Sequence, residues 1–180
     1  MATQNLEQRL LQRVRDIVDF PKPGVVFKDI TPILKDPGLC SDVLNAFVEF
    51  GRDKAIDAVV GLEARGFLFG FMLANRLGVP FVPVRKKGKL PYATHSKTYD
   101  LEYGTATIEI HTDAFPASAR VLVHDDLLAT GGTISAATEL IQEMGAEIAG
   151  YTFIIDLSFL GGKTRIEPVG APILTLLEID

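Results

Sequence analysis

The spacing of hydrophobic positions changes along the chain. Leu6, Leu10, Val14 and Ile17 recur at helical intervals behind Asn5, which with Gln8 forms a helix-start box, so a first amphipathic helix is predicted. Asp19-Phe20-Pro21-Lys22-Pro23-Gly24 stops it, because neither proline continues a helix. Asp36-Pro37 opens a second helix with Leu39, Val43, Phe47 and Phe50 on one face. From Asp57 the pattern shortens into apolar runs. Ala58 to Gly61 reads as a buried strand, Gly66 to Leu77 as a helix apolar nearly all round and ended by Gly78, and Pro80 to Val84 as another strand. Arg85 to Tyr99 is polar and without clear period, and Thr105 to His111 alternates like a half-exposed strand. Val121 to Val123 is a buried strand backed by a helix through Ile134, Ala137, Ile141 and Met144, which Gly145 ends. Ile148 to Ile155 and Ile173 to Leu177 complete the set.

Buried strands alternating with helices imply an α/β fold, a parallel sheet covered on both faces. Ligands in such sheets bind beyond the carboxyl ends of the strands, so the loops after Gly61, Val84 and Val123 are where chemistry is expected. Composition sharpens this only by exclusion. The 180 residues suit one domain, 1–180, and a net charge of −5 without a basic tail opposes binding to nucleic acid or an anionic membrane. The apolar middle has no stretch free of ionisable residues longer than Gly66 to Asn75, well short of the roughly 18–20 residues of a spanning helix, and Met1 to Arg9 is polar. Cys40 is the one cysteine, so no internal disulfide or cysteine zinc site forms, and a cytoplasmic protein is expected.

The strongest chemical pattern runs from Val121 to Thr133. An apolar strand and His124 lead into two carboxylates, Asp125 and Asp126, then Leu127-Leu128, then the small-residue loop Ala129-Thr130-Gly131-Gly132-Thr133 and a helix. Glycines let backbone approach an anion, the opening N–H groups of a helix lack internal partners, and the two threonines add hydroxyl donors: a phosphate cradle. The carboxylates suit sugar hydroxyls or a magnesium-bound water. Elsewhere, Glu63-Ala64-Arg65-Gly66 fits either an anion-binding loop or an ordinary helix start, and Arg85-Lys86-Lys87-Gly88-Lys89 either a second anion site or a solvated loop. Gly162-Lys163-Thr164 mimics the end of a triphosphate loop, but Leu157 stands where that pattern needs glycine.

The strand, acidic pair and Thr-Gly-Gly-Thr loop resemble the fingerprint of the type I phosphoribosyltransferases. Four further segments, Pro23 to Ile30, Gly61 to Phe67, Arg85 to Pro91 and Leu101 to Gly104, resemble the adenine-specific branch of that family. The resemblance spans roughly residues 6 to 178. It implies a central parallel sheet flanked by helices, a small N-terminal hood with the base pocket over about 1–35, and a flexible lid over about 85–103. It further implies a reaction of adenine with phosphoribosyl pyrophosphate (PRPP) to give AMP and pyrophosphate, with Mg2+ carried by PRPP rather than held directly by the protein, and a homodimer. The assignments it implies are these: residues 129–133 (Ala129, Thr130, Gly131, Gly132, Thr133) for the 5-phosphate, Asp125 and Asp126 for ribose. Glu63, Ala64, Arg65, Arg85 and Lys89 take pyrophosphate, with a cis or strained Glu63-Ala64 peptide. Val26, Phe27, Lys28 and Leu128 take adenine, Tyr99 and Tyr103 belong to the lid, and Glu102 is the acid/base on the purine ring, with Arg65, Arg85 and Lys89 also catalytic. Without the resemblance, Val25-Val26-Phe27 reads only as buried strand. The alternatives kept beside this reading are a PRPP-sensing non-catalytic regulator and a transferase for another nucleobase. Two residues depart from the family pattern: Lys28 where arginine is common, and His124 where Val or Ile is common. His124 is expected as a hydrogen-bonded strand histidine that neighbouring Asp125 could bring to titrate near neutrality.

Overall fold

The computed structural model describes residues 5–100 and 104–180. Helix α1 (Leu6–Arg13) starts as expected, with Asn5 Oδ1 accepting from the Gln8 N–H at 2.8 Å. It ends four residues before Ile17. The chain there forms β1 (Arg15–Val18), which pairs antiparallel with β2 (Val26–Asp29) as a separate two-stranded hairpin. Asp16 and Lys28 face each other across it, and the Lys28 ammonium donates to both Asp16 oxygens at 2.8 Å, a pairing no helical period reveals. A short α2 (Thr31–Leu34) leads to α3 (Pro37–Gly51), capped by Asp36 accepting from Leu39 N–H at 3.0 Å.

The remaining elements are β3 (Ala58–Leu62), α4 (Gly66–Leu77), β4 (Phe81–Lys86), β5 (Thr94–Asp100), β6 (Thr105–His111), β7 (Arg120–Leu128), α5 (Gly132–Glu143), β8 (Glu147–Leu157), α6 (Gly162–Ile166) and β9 (Ile173–Ile179). Seven strands form one sheet in the order β5-β6-β4-β3-β7-β8-β9. The pairs β4–β3, β3–β7, β7–β8 and β8–β9 are parallel, while β6 runs antiparallel to β4 and to β5. Strand β5 lies inside the stretch that showed no periodicity, and Glu109 on β6 is buried rather than facing solvent.

Side-chain alternation splits the core in two. Val60, Leu62, Val123 and Phe153 pack with α5, whereas Val59, Leu122 and Ile154 pack with Leu39, Val43 and Phe47 of α3 and Phe69 and Leu73 of α4. Each fully buried Leu, Val or Phe contributes about 1.5–3 kcal/mol. Because β3, β4, β7 and β8 run parallel, the loops that follow them emerge at one edge of the sheet, where the acidic pair, the cationic loop and the glycine loop meet.

Candidate active site

Strand β7 delivers Asp125 and Asp126 and passes through Leu128 into the glycine loop. Gly131 takes φ 80° at the start of α5. A Cβ there would lie 2.8 Å from the Gly162 carbonyl oxygen, so both conformation and space require glycine. The Gly131 carbonyl accepts the first helical bond, from Ser135 N–H at 2.9 Å. Asp125 and residues 127–134 line a hollow of about 90 Å³, the room of a few water molecules. Leu128 is buried, meets Gly162 and lines this hollow. Tyr99 reaches across from β5, its hydroxyl 2.9 Å from the Thr133 hydroxyl.

The loop after β3 meets the acidic pair from the other side. Its Glu63–Ala64 peptide is cis. Gly66 starts α4 so near β7 that a Cβ would stand 2.8 Å from Asp125 Oδ1. Arg65 spans two parts of the site: its Nε is 2.7 Å from Asp126 Oδ2, and its guanidinium lies over the Phe27 ring, 4.6 Å from the centroid. Burial, then the charge of Asp126, push the Asp125 carboxyl well above the usual range. Burial also lifts Asp126, against the pull of Arg65. Phe27 meets Phe20 edge-on at 5.1 Å, making the hairpin an aromatic wall.

Glu63 is the hub of the cationic loop. Its carboxylate accepts from Arg85 Nε at 3.2 Å, the Lys86 N–H at 3.0 Å and Lys89 Nζ at 3.0 Å. Burial raises its pKa, but these donors outweigh burial and hold it below the usual value. The Arg85 guanidinium also donates to the Lys89 carbonyl at 3.1 Å. The sequence pointed to the cations but not to this carboxylate as their organiser. The partners are 22 to 26 positions away, beyond any local pattern.

His124 is buried, with Nδ1 3.0 Å from the Thr152 hydroxyl and no partner for Nε2 among the described residues. Burial depresses its pKa to about 3, which corrects the expectation of titration near neutrality: Asp125 is its neighbour in sequence but points to the other face of the strand. The Lys28 departure is absorbed by Asp16. Glu102 and Tyr103 lie outside the described residues.

The chain was compared with known proteins. The phosphoribosyl transferase domain model matches residues 37–169. A curated adenine phosphoribosyltransferase of Cytophaga hutchinsonii is 50% identical over 179 residues, covering 98% of this chain and 99% of the relative. The chain belongs to the adenine phosphoribosyltransferase family. Among solved adenine phosphoribosyltransferases, that of Rhodothermus marinus superposes with a TM-score of 0.92 at 48% identity, covering 97% of this chain and 98% of the other. That of Saccharomyces cerevisiae, crystallised with an imino-altritol bisphosphate and adenine, gives 0.88 at 43% identity, covering 96% and 98%. The chain sets a mostly parallel sheet between helices, with the glycine loop at its carboxyl edge.

Proposed function

We infer that the protein transfers the phosphoribosyl group of PRPP to adenine, releasing pyrophosphate and forming AMP. The observation that carries this is the convergence of three chemistries at one sheet edge, a glycine loop, an acidic pair and a cluster of cations, beside an aromatic wall. The name and near-full-length identity of the relatives support adenine as the base.

In this reading the N–H groups of residues 129–133 and the hydroxyls of Thr130 and Thr133 hold the 5-phosphate, while Asp125 and Asp126 accept from the ribose hydroxyls. Arg65, Arg85 and Lys89, with the Glu63–Ala64 backbone, receive the departing pyrophosphate, and the Glu63 carboxylate keeps two of these cations gathered beforehand. Phe27 offers its face to the purine, a contact worth about 1–3 kcal/mol. The Lys28 side chain is engaged by Asp16, which supports reading of the 6-amino group by a backbone carbonyl of residues 26–28. Positive charge develops at the anomeric carbon as its bond to pyrophosphate breaks, as in other glycosidic cleavages. Glu102 exchanges the purine proton, and Tyr99 and Tyr103 close the lid against water.

Among the described residues no group of three or more His, Cys, Asp or Glu side chains is placed to hold a metal ion. Asp125 and Asp126 would accept from the waters of a magnesium ion carried by PRPP, and that ion would supply charge to the leaving group. A homodimer is supported by Leu68, Phe71 and Met72, an exposed apolar stripe on α4 at helical spacing. A cytoplasmic location agrees with the free Cys40.

Competition among adenine, hypoxanthine and guanine at fixed PRPP and magnesium tests the assignment. AMP is expected to dominate the product, and equal use of a 6-oxo purine would sink the adenine reading. Glu102→Leu should lower turnover by about 10²–10⁴-fold while leaving PRPP affinity nearly intact; an unaltered rate removes Glu102 from the reaction.

A further inference from the structure

Helix α6, five residues long, packs against the glycine loop. A helix this short does not hold itself in place. It is anchored by Ile166, which is fully buried, and by Lys163, whose Nζ lies 2.7 Å from Asp156 Oδ2 and 2.9 Å from Glu178 Oε2. Asp156 stands near the end of β8, opposite Leu128 in the register with β7, and is 0% exposed. Apart from Lys163, its carboxylate oxygens have no partner among the described residues. A buried carboxylate is tolerated only when paired, so Lys163 is held beside it and α6 with Lys163. The consequence is felt one residue earlier. A Cβ on Gly162 would overlap the Ala129 carbonyl oxygen, and the Gly162 carbonyl in turn limits the space at Gly131. The loop backbone therefore rests on α6 without slack.

We propose that the Lys163–Asp156 pair positions the phosphate loop: by pinning α6 it holds the backbone of residues 129–133 in the arrangement that receives the 5-phosphate of PRPP. This rests on the assignment of that loop to the 5-phosphate. Lys163 and Asp156 act through Gly162 and do not touch substrate, so they are positioning residues. Glu178 steadies Lys163 from the exposed side.

Steady-state kinetics test this, with PRPP varied at saturating adenine and adenine varied at saturating PRPP. Lys163→Met is expected to raise the PRPP KM at least about fivefold and to leave kcat and the adenine KM within about twofold, since the grip on the 5-phosphate, remote from the reacting carbon, is shared by ground and transition states. Lys163→Arg should restore the PRPP KM. If Lys163→Met does not fold, Lys163→Gln, which also removes the charge paired with Asp156, is measured in its place against the same expectation. Thr133→Val serves as the control within the loop. A raised PRPP KM for Thr133→Val but not for the Lys163 variant overturns the positioning role, as does a Lys163 variant that loses only melting temperature or loses kcat in proportion. If neither variant moves the PRPP KM, the loop assignment itself fails.

Discussion

His124 carries a polar ring into a fully buried position between Thr152 and the Phe47 ring, 5.1 Å away. Its pKa falls from 6.5 to about 3 through burial, so the unfolded chain takes up a proton at a pH where the folded one does not. The stability this withholds is fully present above pH 6.5 and is lost as pH falls from there toward 3. His124→Val should therefore abolish a loss of about 2 kcal/mol between pH 7 and pH 5, read as the difference between wild-type and variant denaturant unfolding at the two pH values. Parallel curves for the two proteins would contradict this. The residue was recognisable in the sequence as a strand histidine; its titration was not. Which face of β7 a side chain takes, and what covers that face, depends on α3 and α4, far along the chain.

Elements were legible where hydrophobic period and punctuation agreed. The glycine loop stood out because an apolar strand, two acids, two leucines and five small residues follow in order, and α4 and α5 were bounded by Gly78, Gly131 and Gly145. Strand β5 was missed because neither of its faces is apolar. It docks on α5 through Lys97, whose ammonium lies 2.8 Å from Glu139 and 2.6 Å from Glu143, and through the Tyr99 contact with Thr133. Strand β1 was hidden because Val14 and Ile17 continue the helical spacing past the true helix end at Arg13. The β5 docking has a measurable consequence. Lys97→Met should leave the melting temperature nearly unchanged yet speed limited proteolysis between residues 85 and 100 several-fold, since an exposed ion pair contributes little to global stability but holds β5 locally. Protection by added PRPP should be weaker than in wild type. Mass spectrometry of the first cleavage site decides the matter.

At the scale of the whole molecule, the fold class followed from alternating strands and helices, but the grouping of the site did not. Arg65 touches Phe27 and Asp126, residues 38 and 61 positions away, only because β3 lies beside β7 and the hairpin carries Phe27 to the loop after β3. The apolar stripe on α4 was equally hard to read, since that helix is apolar on nearly every side and only the fold tells which side is covered. Phe71→Arg is expected to convert a species of twice the 19.6 kDa chain mass into monomer in sedimentation equilibrium, with the circular dichroism spectrum retained. Wild-type protein that sediments as a monomer would remove the dimer.

Helix α4 begins at Gly66, in van der Waals reach of Asp125, and presents Phe71 to solvent little more than a turn later. With one end beside the acidic pair and an apolar flank open to solvent, α4 joins the two directly, without a flexible relay. Pressure on that flank, whether from a twin subunit, an engineered binder or a small wedge, would reach the acidic pair as a shift of its backbone. The exposed flank of α4 is thus a handle on the acidic pair from outside the substrate cleft.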